Sequence, residues 1–188
     1  MQQLQELKKI EDSVKKKAYF VALLTAEFKK RGFQEPIIVG GLAVEIYTQG
    51  SYTTGDIDIK ADITLLEKIL QNWGFKKTGR VWFNNDLDIY IDWVGSSLDE
   101  GEEAEKRVNT VFIDENLDVK IISIEDLIID RLNAYKWWKD EDSFLWAKVL
   151  LKVKESIGEK IDVEYLKKRA KKEQIEDILM KLLKNECV

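Results

Sequence analysis

The chain has no histidine, one cysteine and one proline among its 188 residues, and each scarcity removes a class of function. Without histidine there is no imidazole general base and none of the commonest transition-metal ligand. Any proton acceptor must then be a carboxylate, a metal-bound hydroxide or the substrate itself. The lone Cys187 excludes an intrachain disulfide and supports no zinc site. Long apolar runs are also missing, so no segment is expected to cross a bilayer, which takes about 20 such residues. The short run Val21-Ala22-Leu23-Leu24 has lysines on either side and no cleavage-like end. It does not read as a signal peptide, and a cytoplasmic location without a membrane partner is expected.

What is present is charge and a core. Charged residues make up 35% of the chain and hydrophobic residues 45%, with a net charge of −5. The Lys and Glu bias, with so little proline, is compatible with a heat-adapted source. Neither an internal repeat nor a low-complexity linker interrupts the chain. Its length suits one domain with a helical extension. We expect an N-terminal helix within 1–34, a core over 35–122 and a helical region over 123–188.

Periodicity places the elements. Leu7, Ile10, Val14, Val21, Leu24 and Phe28 trace one apolar stripe, predicting a helix from about Leu4 to Lys30. Ile37-Ile38-Val39 reads as a short buried strand and Leu42 to Tyr47 as the helix after it, with Gly40 and Gly41 at the turn. A helix from Thr64 to Trp73 has Asp62 as its cap and Gly74 as its stop. Lys76 to Phe83 and Leu87 to Val94 alternate as an antiparallel pair joined through Asn84-Asn85. Arg107 to Phe112 and Leu117 to Ile121 form a second pair. Ser123 with Asp126 resembles a capping box opening a helix to Tyr135. Beyond it, Ile175, Ile178, Leu179 and Leu182 recur at helical spacing, as a core or partner-facing stripe would. From Lys148 to Lys184 eleven basic residues face seven acidic ones. Their interleaving favours a solvated face over a nucleic-acid surface. Trp137-Trp138 is expected to pack at a helix end rather than stack on bases.

The chemistry sits in the second quarter of the chain. Adjacent glycines at a strand-to-helix turn let a phosphate approach backbone N–H groups, which the helix dipole favours. Downstream, Asp56-Ile57-Asp58-Ile59-Lys60 alternates polar and apolar, so both acids project from one strand face about 7 Å apart. Neighbouring carboxylates repel unless a cation joins them, and hard oxygen ligands suit Mg²⁺. A solvent-facing acidic strand would show the same pattern, and the upstream glycines weigh against it. A third acid is available on Leu87-Asp88-Ile89-Tyr90-Ile91-Asp92-Trp93-Val94. Asp88 and Asp92 share its polar face, and periodicity leaves both open.

These residues together resemble the nucleotidyltransferase superfamily. Its signature is a Gly-Gly or Gly-Ser turn, then Asp-x-Asp on the next strand, then a further Asp on a later one. Gly40-Gly41-Leu42-Ala43-Val44 through Asp58 carries the first part. Ile91-Asp92-Trp93-Val94-Gly95-Ser96-Ser97 resembles the later strand, matching at Asp92 better than at Asp88. Ser123 to Ala134, followed by Lys139-Asp140-Glu141-Asp142, resembles a helix pair that closes the site. Many relatives carry a basic residue shortly before Asp-x-Asp, where this chain has Tyr52-Thr53-Thr54-Gly55. A metal site is thus a firmer expectation than a triphosphate site.

The resemblance is to small minimal nucleotidyltransferases and abortive-infection toxins, and it implies an α/β (α+β) fold. A nucleotidyltransferase-like core with a small mixed sheet would be flanked by N-terminal and C-terminal helices. It implies Mg²⁺ or Mn²⁺ on Asp56, Asp58 and Asp92, and an NTP, expected to be ATP, as donor. Gly40, Gly41, Ser51, Thr54, Lys60 and Arg131 would contact the nucleotide, Arg131 through a fork suited to phosphate. The acceptor would be an RNA, a protein or a small molecule, with an antitoxin as partner if the chain is a toxin. The competing expectations are a non-catalytic nucleotide-binding or interaction module on the same fold, and a helical partner protein with an incidental acidic strand.

Overall fold

The N-terminal apolar stripe is carried by two helices rather than one. In this computed structural model, which describes residues 2–184, α1 spans Gln2–Glu6 and a 3-10 turn Leu7–Lys9. Helix α2 restarts at Ser13–Lys30. Asp12 causes the restart: its backbone is extended, and its carboxylate accepts from the Lys15 N–H at 2.9 Å, capping the new helix. Apolar spacing runs through the break because it records side-chain faces, not backbone continuity.

The chain divides into two compact units, Met1–Ile122 and Ser123–Val188. After α2 the first unit runs β1 (Ile37–Ile38), α3 (Gly40–Tyr47), β2 (Ile57–Lys60) and α4 (Ile63–Asn72). It continues with β3 (Lys76–Thr78), β4 (Val81–Asn84), β5 (Ile89–Trp93), α5 (Glu102–Glu105), β6 (Asn109–Phe112) and β7 (Asp118–Ile121). The predicted strand over Lys76 to Phe83 is two strands, parted by a turn at Gly79-Arg80 where Gly79 has φ +60°. Asp62 caps α4 by accepting from Leu65 N–H, as its position in the sequence suggested.

All seven strands join one mixed sheet in the order β3-β4-β5-β2-β1-β7-β6. Strand β1 runs antiparallel to β2 and parallel to β7, while β2 runs parallel to β5. This pairing matters for function because Asp58 lies opposite Asp92 in register. Ile57, Ile59, Ile91 and Trp82 are buried in the sheet's core layer, and α2 packs against α3, α4 and β7. Phe20 of α2 meets the rings of Trp73 and Phe75 at 5.7 and 5.4 Å. Such an aromatic anchor, removed to alanine, typically costs about 3–5 kcal/mol. The mixed α/β architecture agrees with the fold class expected from the sequence.

The second unit is helical: α6 (Ile124–Trp138), α7 (Glu141–Ser156), α8 (Val163–Lys172) and α9 (Glu176–Lys184). The stripe of Ile175, Ile178, Leu179 and Leu182 is buried within it. Ser123 caps α6 by accepting from Asp126 N–H at 3.0 Å, but the Asp126 carboxylate takes the Ser123 hydroxyl instead of completing a capping box. That buried carboxylate also accepts from Tyr165 Oη at 2.7 Å and Arg169 Nε at 3.2 Å. Beside it, Glu125 accepts from Lys154 and from the Asp162 N–H. One expectation fails here. Trp137 and Trp138 stay largely exposed at the end of α6, at 56% and 80%, with Lys136 Nζ 5.0 Å from the centre of the Trp137 ring. Cys187 lies outside the described residues.

Candidate functional site

Strand β1 ends at Val39, and the chain enters α3 directly at the two glycines. Gly40 has φ +56°, a conformation that L side chains rarely adopt. Space is the second constraint: a Cβ on Gly40 would lie 2.1 Å from Asp58 Oδ2, and one on Gly41 2.8 Å from Thr54 Oγ1. The Gly41 N–H donates to Asp58 Oδ2 at 3.0 Å. The room that the sequence suggested for a phosphate is therefore shared with an acid and a threonine of the chain itself. The cause is the same in either case, since unpaired N–H groups at a helix start attract the nearest anion.

Thr54 is placed by a residue with no motif around it. Lys17, on the buried face of α2, pairs with Glu45 of α3 and donates to the Thr54 carbonyl at 2.7 Å. Both charged side chains of that pair are buried, so the geometry is held firmly. The Thr54 hydroxyl then donates to Asp56 Oδ1 at 2.8 Å, aiming this carboxylate just before β2 begins. Lys17 was detectable in principle, because it falls on the apolar stripe between Val14 and Val21.

Asp92 completes the group from β5. It is 7% exposed and stands in register beside Asp58 on the neighbouring parallel strand. Parallel neighbours lie about 4.8 Å apart and show the same face. Its Oδ2 pairs at 2.7 Å with Arg80 Nη2, from an arginine side chain that is 68% exposed. Its Oδ1 is buried with no hydrogen-bond partner. A buried carboxylate oxygen without a donor is costly and uncommon. Asp88, the other sequence candidate, lies outside β5 in a left-handed turn and is exposed.

Lys60, Ser51 and Arg131 make contacts with other residues. Lys60 is buried, pairs with Asp99 at 2.6 Å and packs against Gly95, where a Cβ would lie 2.9 Å from its Nζ. Ser51 is exposed in the loop before Asp56, its N–H donating to the Thr48 carbonyl. Arg131 belongs to the second unit, where its guanidinium pairs with Asp130 at 2.6 Å. A separate cavity of about 320 Å³, lined by Phe33, Glu35, Glu105 and Lys120 among others, contains none of the aspartates.

Among the described residues, no group of three or more His, Cys, Asp or Glu is gathered to hold a metal ion. Each aspartate has turned to a local donor: Asp56 to Thr54, Asp58 to Gly41, Asp92 to Arg80. The donor chemistry nonetheless fits a hard divalent cation. Asp58 and Asp92 come from β2 and its parallel neighbour, Asp56 directly precedes β2, and one oxygen of Asp92 has no donor.

A family model described as "Nucleotidyltransferase of unknown function (DUF6036)" matches residues 21–186. No curated protein matches the chain.

Proposed function

The chain belongs to this family of nucleotidyltransferases, and from that premise we propose that it transfers a nucleoside monophosphate from an NTP, ATP first, to an acceptor hydroxyl, breaking the α–β phosphoanhydride bond and releasing pyrophosphate. The observation that carries the reading is the pair Asp58 and Asp92, in register on parallel strands beside a glycine helix start, with Asp92 Oδ1 buried and unclaimed. Asp56, Asp58 and Asp92 would hold Mg²⁺ or Mn²⁺. Bound there, the ion would neutralise phosphate charge and acidify the acceptor hydroxyl.

The protein's own groups do the rest. Gly40 and Gly41 keep side chains away from the helix start, so that a phosphate can reach the N–H groups once Asp58 turns toward a cation. Thr54 orients Asp56, and Lys17 with Glu45 fixes Thr54. With no histidine, the proton of the acceptor hydroxyl passes to a carboxylate or to solvent. Lys60 supplies fixed positive charge on the same strand face as Asp58, through a side chain already bound to Asp99.

A second reading has its own support. Because the three acids are not gathered, a nucleotide-binding module without transfer would show the same resting arrangement. Calorimetry with Mn²⁺ and ATP, followed by labelled NTP incubated with RNA and with protein extract, separates the two. Transfer predicts binding that Asp58→Asn weakens by at least about a hundredfold, since even outer-shell partners of a metal site are worth 10–100-fold. It also predicts label on an acceptor. Binding without label from any of the four NTPs favours the module, and absence of binding overturns both.

A further inference from the structure

Arg80 has no place in the proposed reaction, yet it makes the ion pair that faces the least satisfied acid in the site. It follows Gly79 in the turn between β3 and β4, one residue before Val81, which lies opposite Asp92 in the β4–β5 ladder. Its carbonyl accepts from the Trp93 N–H at 3.4 Å, so the backbone beside Asp92 is held. Its side chain is 68% exposed, and the guanidinium reaches Asp92 Oδ2 at 2.7 Å. The two partners differ in kind: the carboxylate is buried, while the arginine side chain is largely exposed to solvent.

We infer that Arg80 is an exchangeable counter-ion for Asp92, released when a divalent cation takes that carboxylate and then available to bind the phosphates of the incoming nucleotide. This inference rests on the proposed metal-dependent nucleotide site. Two observations and the chemistry of arginine support the exchange. Asp92 Oδ1 is buried without a donor, so the single guanidinium contact leaves part of the acid's bonding capacity unused. The pair is open to water on its arginine side, where solvent screening weakens it. A displaced guanidinium keeps its charge at every relevant pH, and its planar fork matches two phosphate oxygens at once. The resting protein thereby holds its aspartates without a metal, and metal binding creates a phosphate ligand a few ångströms away.

The exchange predicts opposite effects on two ligands, which a merely structural role would not produce. Mn²⁺ binding without nucleotide, followed by electron paramagnetic resonance of the free ion, is expected to tighten about fivefold in Arg80→Ala, because the competing cation is gone. Binding of ATP at saturating Mn²⁺ is expected to weaken about thirtyfold in the same variant, because a charged bidentate contact is lost. Arg80→Lys retains the charge without the fork, so it should bind Mn²⁺ as wild type does and still bind ATP more weakly. Circular dichroism of each variant checks that the exposed substitution leaves the fold intact. If wild type binds Mn²⁺ and ATP but Arg80→Ala changes neither, or changes both in the same direction, the exchange is overturned and the functional reading stands. If wild type binds neither ligand, both fall.

Discussion

Two buried aspartates, each facing an arginine, behave in opposite ways in the two units. Asp126 is fully buried: Tyr165, Arg169 and Ser123 all donate to it, and the arginine side chain is only 5% exposed. Asp92 is nearly as buried but has one exposed arginine for one oxygen and nothing for the other. The first arrangement gives both carboxylate oxygens a donor, and such networks specify and stiffen a core. The second leaves bonding capacity unused beside Asp58, which stands in register with it and accepts from the start of α3. Burial of an acid therefore says little by itself; the completeness of its partners separates a structural acid from one held for a ligand.

Matched substitutions should break the comparison if it is wrong. Asp126→Leu takes away the carboxylate that the buried Arg169 Nε reaches and that Tyr165 and Ser123 donate to, and the expected loss is about 3–5 kcal/mol of stability, read from urea unfolding followed in the helical signal. Asp92→Leu should behave differently. Its arginine is exposed and loses little, and an unsatisfied buried oxygen disappears, so stability should stay within about 1 kcal/mol of wild type or rise. The same variant should lose Mn²⁺-dependent ATP binding. Equal destabilisation by the two substitutions would abolish the distinction.

The smallest effect is expected at a mostly exposed cation in the first unit. Lys29 hydrogen-bonds Asp118, and this contact, aided by the charge of Glu35 and opposed by partial burial, raises its pKa above the ordinary 10.5. A raised lysine pKa means that the folded state holds the proton more tightly than the unfolded chain. The stabilisation is then fully present below pH 10.5 and lost as pH rises through the folded value. Thermal midpoints of wild type and Lys29→Met should differ slightly at neutral pH and converge above that range. A gap that widens with alkaline pH would contradict the sign.

Much of the fold was legible because its signals are local. Asp62 and Gly74 bracket α4, Ser123 opens α6, and the Ile175 to Leu182 stripe is buried, each read from residues within a turn or two. The errors share one cause. Asp12 breaks the first helix and Gly79 divides a strand, yet both sit inside windows whose side-chain period continues undisturbed. Residue type suggests packing for Trp137 and Trp138, whereas exposure is set by what the rest of the fold brings to the end of α6. Arg80 carried no signal at all, being a polar residue in a turn. Lys17 lay in plain view on an apolar stripe, where a charged residue ought to prompt a search for its partner.

Local chemistry in the sequence determined that a strand would stop at two glycines, that a helix would follow, and that Asp58 would stand on the next strand between two buried isoleucines. Those outcomes depend on backbone freedom and side-chain alternation between near neighbours, which do not change with what lies beyond. Only the tertiary structure decided which distant acid stands beside Asp58. Strand pairing is a choice among non-local partners, and the parallel register of β2 with β5 brings in Asp92 while leaving Asp88 in an exposed turn. Tertiary structure also decided that the Asp92 carboxylate would face Arg80 with one oxygen unclaimed, because burial and hydrogen-bond supply at a point are set by every element packed around it.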